Sequence, residues 1–167
     1  MIKKKICVLG AFAVGKTSLI ERYVNSVFSD KYHTTIGVKT DQKDVKSGGK
    51  NVRLIIWDIN GEDDYQRVKP SYLTGASGAL IIADGTRKDS LAVAMEMMEL
   101  IKTTIGEKPF FLLINKSDLR QDWEITREEI EDLKDNKINV LITSAKTGDN
   151  VEKAFTELTD SIIENDL

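Results

Sequence analysis

The chain has one cysteine, Cys7, and one histidine, His33, among its 167 residues. A single cysteine excludes an internal disulfide and a thiolate metal cluster. A single histidine leaves no basis for a His-based catalytic or metal centre. Cys7 lies in an apolar segment, where it is expected simply to pack. Long hydrophobic runs are also missing, and no stretch approaches the ~20 apolar residues of a membrane-spanning helix. The apolar segment behind Met1-Ile2-Lys3-Lys4-Lys5 is too short for a secretory leader. Ile2 is not a myristoylation glycine, and Glu164-Asn165-Asp166-Leu167 carries no prenylatable cysteine. A cytoplasmic location and no direct membrane anchor are therefore expected. Excess positive charge is absent as well: Lys and Arg number 24, Asp and Glu 27, for a formal charge of -3. Without a basic surface to displace counterions, nucleic acid and anionic membrane are poor candidates as partners. Lys3-Lys4-Lys5 is the one basic cluster, and it reads as a solvated edge flanking a strand.

What is present suits a single soluble domain over 1–167, with 41% hydrophobic and 31% charged residues. Apolar, β-branched segments recur at 6–9, 52–57, 79–83, 110–114 and 140–142, with amphipathic stretches between most of them. That alternation predicts βαβ units and a mainly parallel sheet covered on both faces. Segments 37–45 and 52–57 are joined only by 46–51, a hairpin length, so they are expected to be antiparallel with the first at an edge. Helices are expected at 91–105, 125–133 and 151–163, the last with Val151, Phe155, Leu158 and Ile162 on one face. Met95, Met97 and Met98 read as irregular core filling, and Thr126 with Glu129 has capping-box spacing. Segments 27–36 and 59–69 lack apolar periodicity and are expected to be mobile loops.

Between the strand at 6–9 and the helical stretch 18–24 stands Gly10-Ala11-Phe12-Ala13-Val14-Gly15-Lys16-Thr17, a complete G-x-x-x-x-G-K-T. The glycines let successive N–H groups turn inward to cradle α- and β-phosphates. Lys16 adds a charge for the β- and γ-phosphates, and the Thr17 hydroxyl suits an accompanying Mg²⁺. The helix that starts here aims unsatisfied N–H groups at the same anion. This loop leaves ATP and GTP open. Asn115-Lys116-Ser117-Asp118, at the end of the 110–114 strand, favours guanine. The Asp118 carboxylate can accept from both the guanine N1–H and its N2 amine, whereas adenine would leave it unpaired. Asn115 can tie loops together and the Lys116 stem can cover the base. Thr143-Ser144-Ala145-Lys146, after another strand, can bring N–H groups to the guanine O6.

With these three elements in this order the chain resembles the Ras superfamily of small GTPases over essentially its whole length. Thr35-Ile36-Gly37-Val38, Trp57-Asp58, Tyr72 with Gly75-Ala76, and Ser144-Ala145-Lys146-Thr147-Gly148 are similar to the Rab branch. The 10–17 loop, with Ala13-Val14, is more similar to the Rho branch. The resemblance implies an α/β G domain of the P-loop NTPase type. Its sheet would have six strands, mostly parallel with one antiparallel edge strand, flanked by about five helices, and the nucleotide would sit at the strands' carboxyl ends. It implies GTP and GDP with Mg²⁺ as ligands. Ala13, Val14, Gly15, Lys16, Thr17 and Ser18 would contact phosphates, while Phe28 leans on the guanine and Tyr32 covers the phosphates. Asn115, Lys116, Asp118, Ser144, Ala145 and Lys146 would hold the base. Thr17, Thr35 and Asp58 would serve Mg²⁺, Asp58 through water, and Thr35 and Gly61 would sense the γ-phosphate.

The chain also departs from the family. Asp58-Ile59-Asn60-Gly61-Glu62 stands where the family usually reads Asp-x-Ala-Gly-Gln. The family glutamine orients the attacking water; a carboxylate at Glu62 only accepts, beside an anionic phosphate. Two outcomes are open: Glu62 fails to stabilise the transition state, or it acts as a base if the phosphate field raises its pKa. Phe12 is the second departure. Its bulk either occupies space that an arginine finger and residue 62 need, or turns outward against the 59–74 segment. The expected activity is slow hydrolysis of GTP in a molecular switch, with Lys16, Thr35, Gly61 and Glu62 at the reacting phosphate. The alternative is a GTP-binding interaction module with little or no turnover. Protein effectors and regulators are expected on 27–38 and 59–74, and the chain is expected to be a monomer.

Overall fold

The computed structural model describes residues 1–28, 38–59 and 68–166. Its strands are β1 Ile2–Gly10, β2 Val38–Ser47, β3 Lys50–Ile59, β4 Gly78–Asp84, β5 Phe110–Asn115 and β6 Val140–Ile142. They form one sheet in the order β2-β3-β1-β4-β5-β6. Only β2 and β3 pair antiparallel; β1 pairs parallel with β3 and β4, and β5 with β4 and β6. Four α-helices are described: α1 Lys16–Asn25, α2 Lys88–Ile105, α3 Arg127–Asp135 and α4 Val151–Asn165. Pro70–Leu73 and Ser117–Asp122 form short 3₁₀ turns.

Continuous apolar runs become central strands because both sheet faces are covered. All seven residues of β4 are buried. On one face Ile6, Val8, Leu54, Ile56, Leu80 and Ile82 meet Leu19 and Ile20 of α1 and Phe155, Leu158 and Ile162 of α4. On the other, Cys7, Leu9, Ala79 and Ile81 meet Ala94, Met97, Met98 and Ile101 of α2 and Ile130 and Leu133 of α3. Each buried Leu, Ile, Val, Phe or Met among them contributes about 1.5–3 kcal/mol. Tyr23 and Phe155 stack with ring centroids 3.9 Å apart, locking α1 to α4. The expected α4 stripe is buried at all four positions. The strand order reverses around β1, with β3 on one side and β4 on the other. In open α/β sheets that reversal sets the ligand site outside the strands' carboxyl ends.

Several expectations need correction. The hairpin connection is not 46–51: Ser47 pairs with Lys50, and only Gly48 (φ 55°) and Gly49 (φ 75°) turn the chain. Two glycines accept the positive φ of a tight two-residue hairpin, so both strands extend further. Lys3, Lys4 and Lys5 lie within β1, paired with Arg53, Leu54 and Ile55 of β3. They remain near solvent because β4 joins β1 only from Ile6 onward. Met97 and Met98 are core residues, but Met95 is 48% exposed, since it falls on the outer face of α2. Helix α2 begins at Lys88, three residues earlier than apolar periodicity indicates. Ile125 precedes α3. It is buried as the residue before the cap, in the same core as Ile130, where such a pair fixes the entry angle of the chain. Thr126 accepts from the Glu129 N–H at 3.2 Å, which is half of the capping box, while the Glu129 carboxylate accepts from the Thr126 hydroxyl. Of the two expected mobile loops, 29–36 and 60–67 lie outside the described residues, and Ile59 belongs to β3.

Candidate functional site

The phosphate loop runs from the end of β1 into α1. Gly10 is required by close approach: a Cβ there would run into the Ile82 carbonyl of β4. Gly15, at φ 104°, caps α1, and a Cβ there would overlap the Asn115 amide. Ala13 takes the left-handed conformation, φ 62°, without being glycine. Such local strain is characteristic of ligand-binding turns. Lys16 is 6% exposed, and its Nζ donates to the carbonyls of Ala11 at 3.1 Å and Gly10 at 3.4 Å. Burial lowers its pKa to about 8, against the pull of Asp58 and with a further push from Arg87. Val14 is buried and Ser18 half-buried in the first turn of α1. The N–H groups of that turn lack helical partners, as in any helix N-terminus, and suit an anion.

Thr17 Oγ1 donates to Asp58 Oδ2 at 2.6 Å, and Asp58 is 1% exposed. A hydroxyl and a buried carboxylate beside a phosphate loop form a hard oxygen donor pair. Among the described residues no group of three or more His, Cys, Asp or Glu side chains could hold a metal. The Thr17 and Asp58 oxygens fit Mg²⁺, which is held by one or two carboxylates and takes its remaining oxygens from phosphates and water. Thr35, the other expected ligand, lies outside the described residues, as do Tyr32, Asn60, Gly61 and Glu62. Phe28 is described and 37% exposed.

Asn115 is 1% exposed and joins three loops. Its Nδ2 donates to the Val14 carbonyl at 3.0 Å, and its Oδ1 accepts from Thr143 Oγ1 at 3.2 Å and the Ala145 N–H at 3.3 Å. The phosphate loop and the segment 143–146 are thereby tied to the end of β5. Lys116 has φ 75°, and its Nζ reaches Asp84 Oδ2 at 2.8 Å and the Ala13 carbonyl at 3.2 Å. Asp118 is exposed, with Oδ1 accepting from Ser144 Oγ at 2.7 Å, while Ser144 and Ala145 are buried and Lys146 is exposed. The structure thus gathers Ala13, Val14, Gly15, Lys16, Thr17, Asp58, Asn115, Lys116, Asp118 and Ser144 at one end of the sheet.

Sequence reasoning did not find Arg22, Asp84, Arg87 or Trp123. Arg22 of α1 donates from Nε to the Ala145 carbonyl at 2.8 Å and from Nη2 to the Lys146 carbonyl. Arg87, just before α2, donates to the Phe12 carbonyl at 2.7 Å, and the Phe12 side chain is 40% exposed. Asp84 is fully buried at the end of β4 and accepts from Thr86 and Lys116. An acidic residue closing an apolar strand was the one available signal; the arginine pairs are long-range and leave no local pattern.

The Ras family model matches residues 5–164. The chain is similar to the Ras-related protein Rab-21 of Geodia cydonium, 34% identical over 98% of this chain and 72% of the relative. It is also 34% identical to human Ras-related protein Rab-4A over 95% of this chain and 74% of the relative. Human Ras-related protein Rab-12 is 32% identical over 96% and 67%. No helix among the described residues is long and apolar enough to cross a membrane.

Proposed function

The chain belongs to the Ras family of small GTPases, and from that premise we propose that it hydrolyses GTP slowly and switches partner binding between its GTP and GDP states. The Asn115 amide carries this reading. It holds the phosphate loop through Val14 and the base loops through Thr143 and Ala145 in one buried cluster. Nucleotide phosphates and base would then be sensed by one rigid unit. Lys16 sits at the rim of the loop, held by loop carbonyls, ready to trade them for β- and γ-phosphate oxygens. Asp118 accepts from the guanine N1–H and N2 amine, with Ser144 fixing its carboxylate. Thr17, Asp58 and Thr35 would hold Mg²⁺, which when bound neutralises charge on the phosphate oxygens. Loss of the γ-phosphate frees Thr35 and Gly61, so that 27–38 and 59–74 present a different surface to effectors and regulators.

A second reading, an interaction module that holds GTP with little turnover, is favoured by Phe12. An aromatic residue, 40% exposed, stands in the phosphate loop, and Glu62 stands where the family has a water-orienting amide. Single-turnover hydrolysis of preloaded GTP separates the two. Slow but measurable turnover that rises in Glu62→Gln or Phe12→Gly supports the hydrolase. No turnover in the wild type favours the module, and equal rates in all three proteins overturn the role given to these residues.

A further inference from the structure

Gly85 and Trp123 form a contact that the nucleotide-binding motifs do not account for. The indole ring occupies the space where a side chain at 85 would stand: a Cβ there would overlap the ring atoms Cδ2, Cε2 and Cζ2. Seated there, Trp123 donates from Nε1 to the Lys116 carbonyl at 2.8 Å. Lys116 is a non-glycine residue at φ 75°, a conformation that needs outside support. Its own side chain is engaged elsewhere, on Asp84 and Ala13, so its main chain is held through its carbonyl, which accepts from the indole and from the Leu119 N–H at 2.9 Å. Gly85 is itself well anchored. Its N–H donates to the Asn115 carbonyl at 3.0 Å, and its carbonyl accepts from Glu124 at 2.9 Å and Ile125 at 3.1 Å. The Arg120 guanidinium lies 4.3 Å from the ring centroid, a cation–π contact that further holds the indole.

We infer that Trp123, seated on Gly85, is a positioning residue for the Asn115-Lys116-Ser117-Asp118 loop and sets how long and how selectively guanine nucleotide is held. The physical chain is short. The indole N–H fixes the Lys116 carbonyl, Lys116 φ sets the path of the next two residues, and Asp118 lies at the end of that path. An error of a few tenths of an ångström at Lys116 is passed to the carboxylate that faces the base. The inference rests on the guanine reading of Asp118. It goes beyond that reading because neither Gly85 nor Trp123 is among the residues assigned to the nucleotide.

The test uses the full chain loaded with a fluorescent GDP analogue in excess Mg²⁺, chased with GDP, and repeated with IDP, which lacks the N2 amine. Trp123→Phe keeps an aromatic ring at 123 and removes the N–H together with part of the indole. It should release GDP roughly fivefold faster, the equivalent of one lost hydrogen bond. It should also narrow the preference for GDP over IDP, with the unfolding midpoint of the nucleotide-free protein changed little. Gly85→Ala unseats the ring and should accelerate release further. If Gly85→Ala does not fold, Trp123→Phe alone decides. A wild type that does not retain GDP overturns the guanine reading. A wild type that retains it, with Trp123→Phe releasing within twofold and the GDP to IDP ratio unchanged, overturns the positioning role alone.

Discussion

Thr17 Oγ1 lies 2.6 Å from Asp58 Oδ2, so the first turn of α1 and the end of β3 meet across 41 residues of sequence. Each oxygen is delivered by an element that starts or ends beside the phosphate loop. The Thr17 hydroxyl spends its proton on Asp58 and keeps its oxygen lone pairs for a divalent cation. The pair couples the start of α1, which follows the phosphate loop, to the strand that leads into residues 60–67.

Removing one member of this pair should uncouple nucleotide retention from Mg²⁺. In Thr17→Ala, GDP release with saturating Mg²⁺ should be about tenfold faster or more, through loss of a direct oxygen ligand. In EDTA the variant and wild type should release at similar rates. Stopped-flow release of a fluorescent GDP analogue in both buffers checks this; an equal Mg²⁺ effect in the two proteins would remove Thr17 from the site.

Asn115→Ala should destabilise the nucleotide-free protein by about 2–4 kcal/mol, because it strands the Val14 carbonyl, the Thr143 hydroxyl and the Ala145 N–H in a buried cluster. Urea unfolding of stripped protein is the measurement, since bound nucleotide would add linkage stabilisation to the wild type.

Two glycines with positive φ should respond differently to alanine. Gly15→Ala forces a side chain into φ 104° and into the Asn115 amide, and should abolish nucleotide binding. Gly49→Ala meets open space at φ 75° in the hairpin. It should cost about 1–2 kcal/mol of stability and leave GDP affinity unchanged. Titration calorimetry with GDP compares the two.

Cys7 gives a pH signature. Its side chain is fully buried, and burial raises the thiol pKa to about 11, with Lys5 opposing weakly. The folded state therefore keeps its proton where the unfolded chain, near 9.0, has lost it. This contribution to stability is complete below pH 9 and declines as pH rises toward 11. Alkylation at pH 8 should be slow in the native protein and fast in urea. Stripping the nucleotide should raise the native rate by favouring opening.

The strands were legible because their apolar runs are continuous, and β6 begins and ends at Val140 and Ile142 as expected. Helix α4 declared itself by the spacing of Val151, Phe155, Leu158 and Ile162. The hairpin was misplaced because polar Lys46 and Asn51 look like a loop, although backbone pairing extends each strand beyond its apolar part. Met95 was misread because composition does not tell which helix face a methionine occupies. In the site, Asn115, Asp118 and Lys16 were legible as spaced motifs. Arg22, Arg87 and Trp123 were not, because each works through main-chain carbonyls distant or unmarked in sequence, where any donor of suitable reach would serve.

Competition for the base tests the central claim most directly. With a fluorescent GDP analogue bound in Mg²⁺ buffer, unlabelled GDP and GTP should each displace it at comparable concentration, while ATP should fail even at about 1000-fold excess, given an unpaired Asp118 against adenine. Displacement by ATP in the same range as GTP would contradict the account.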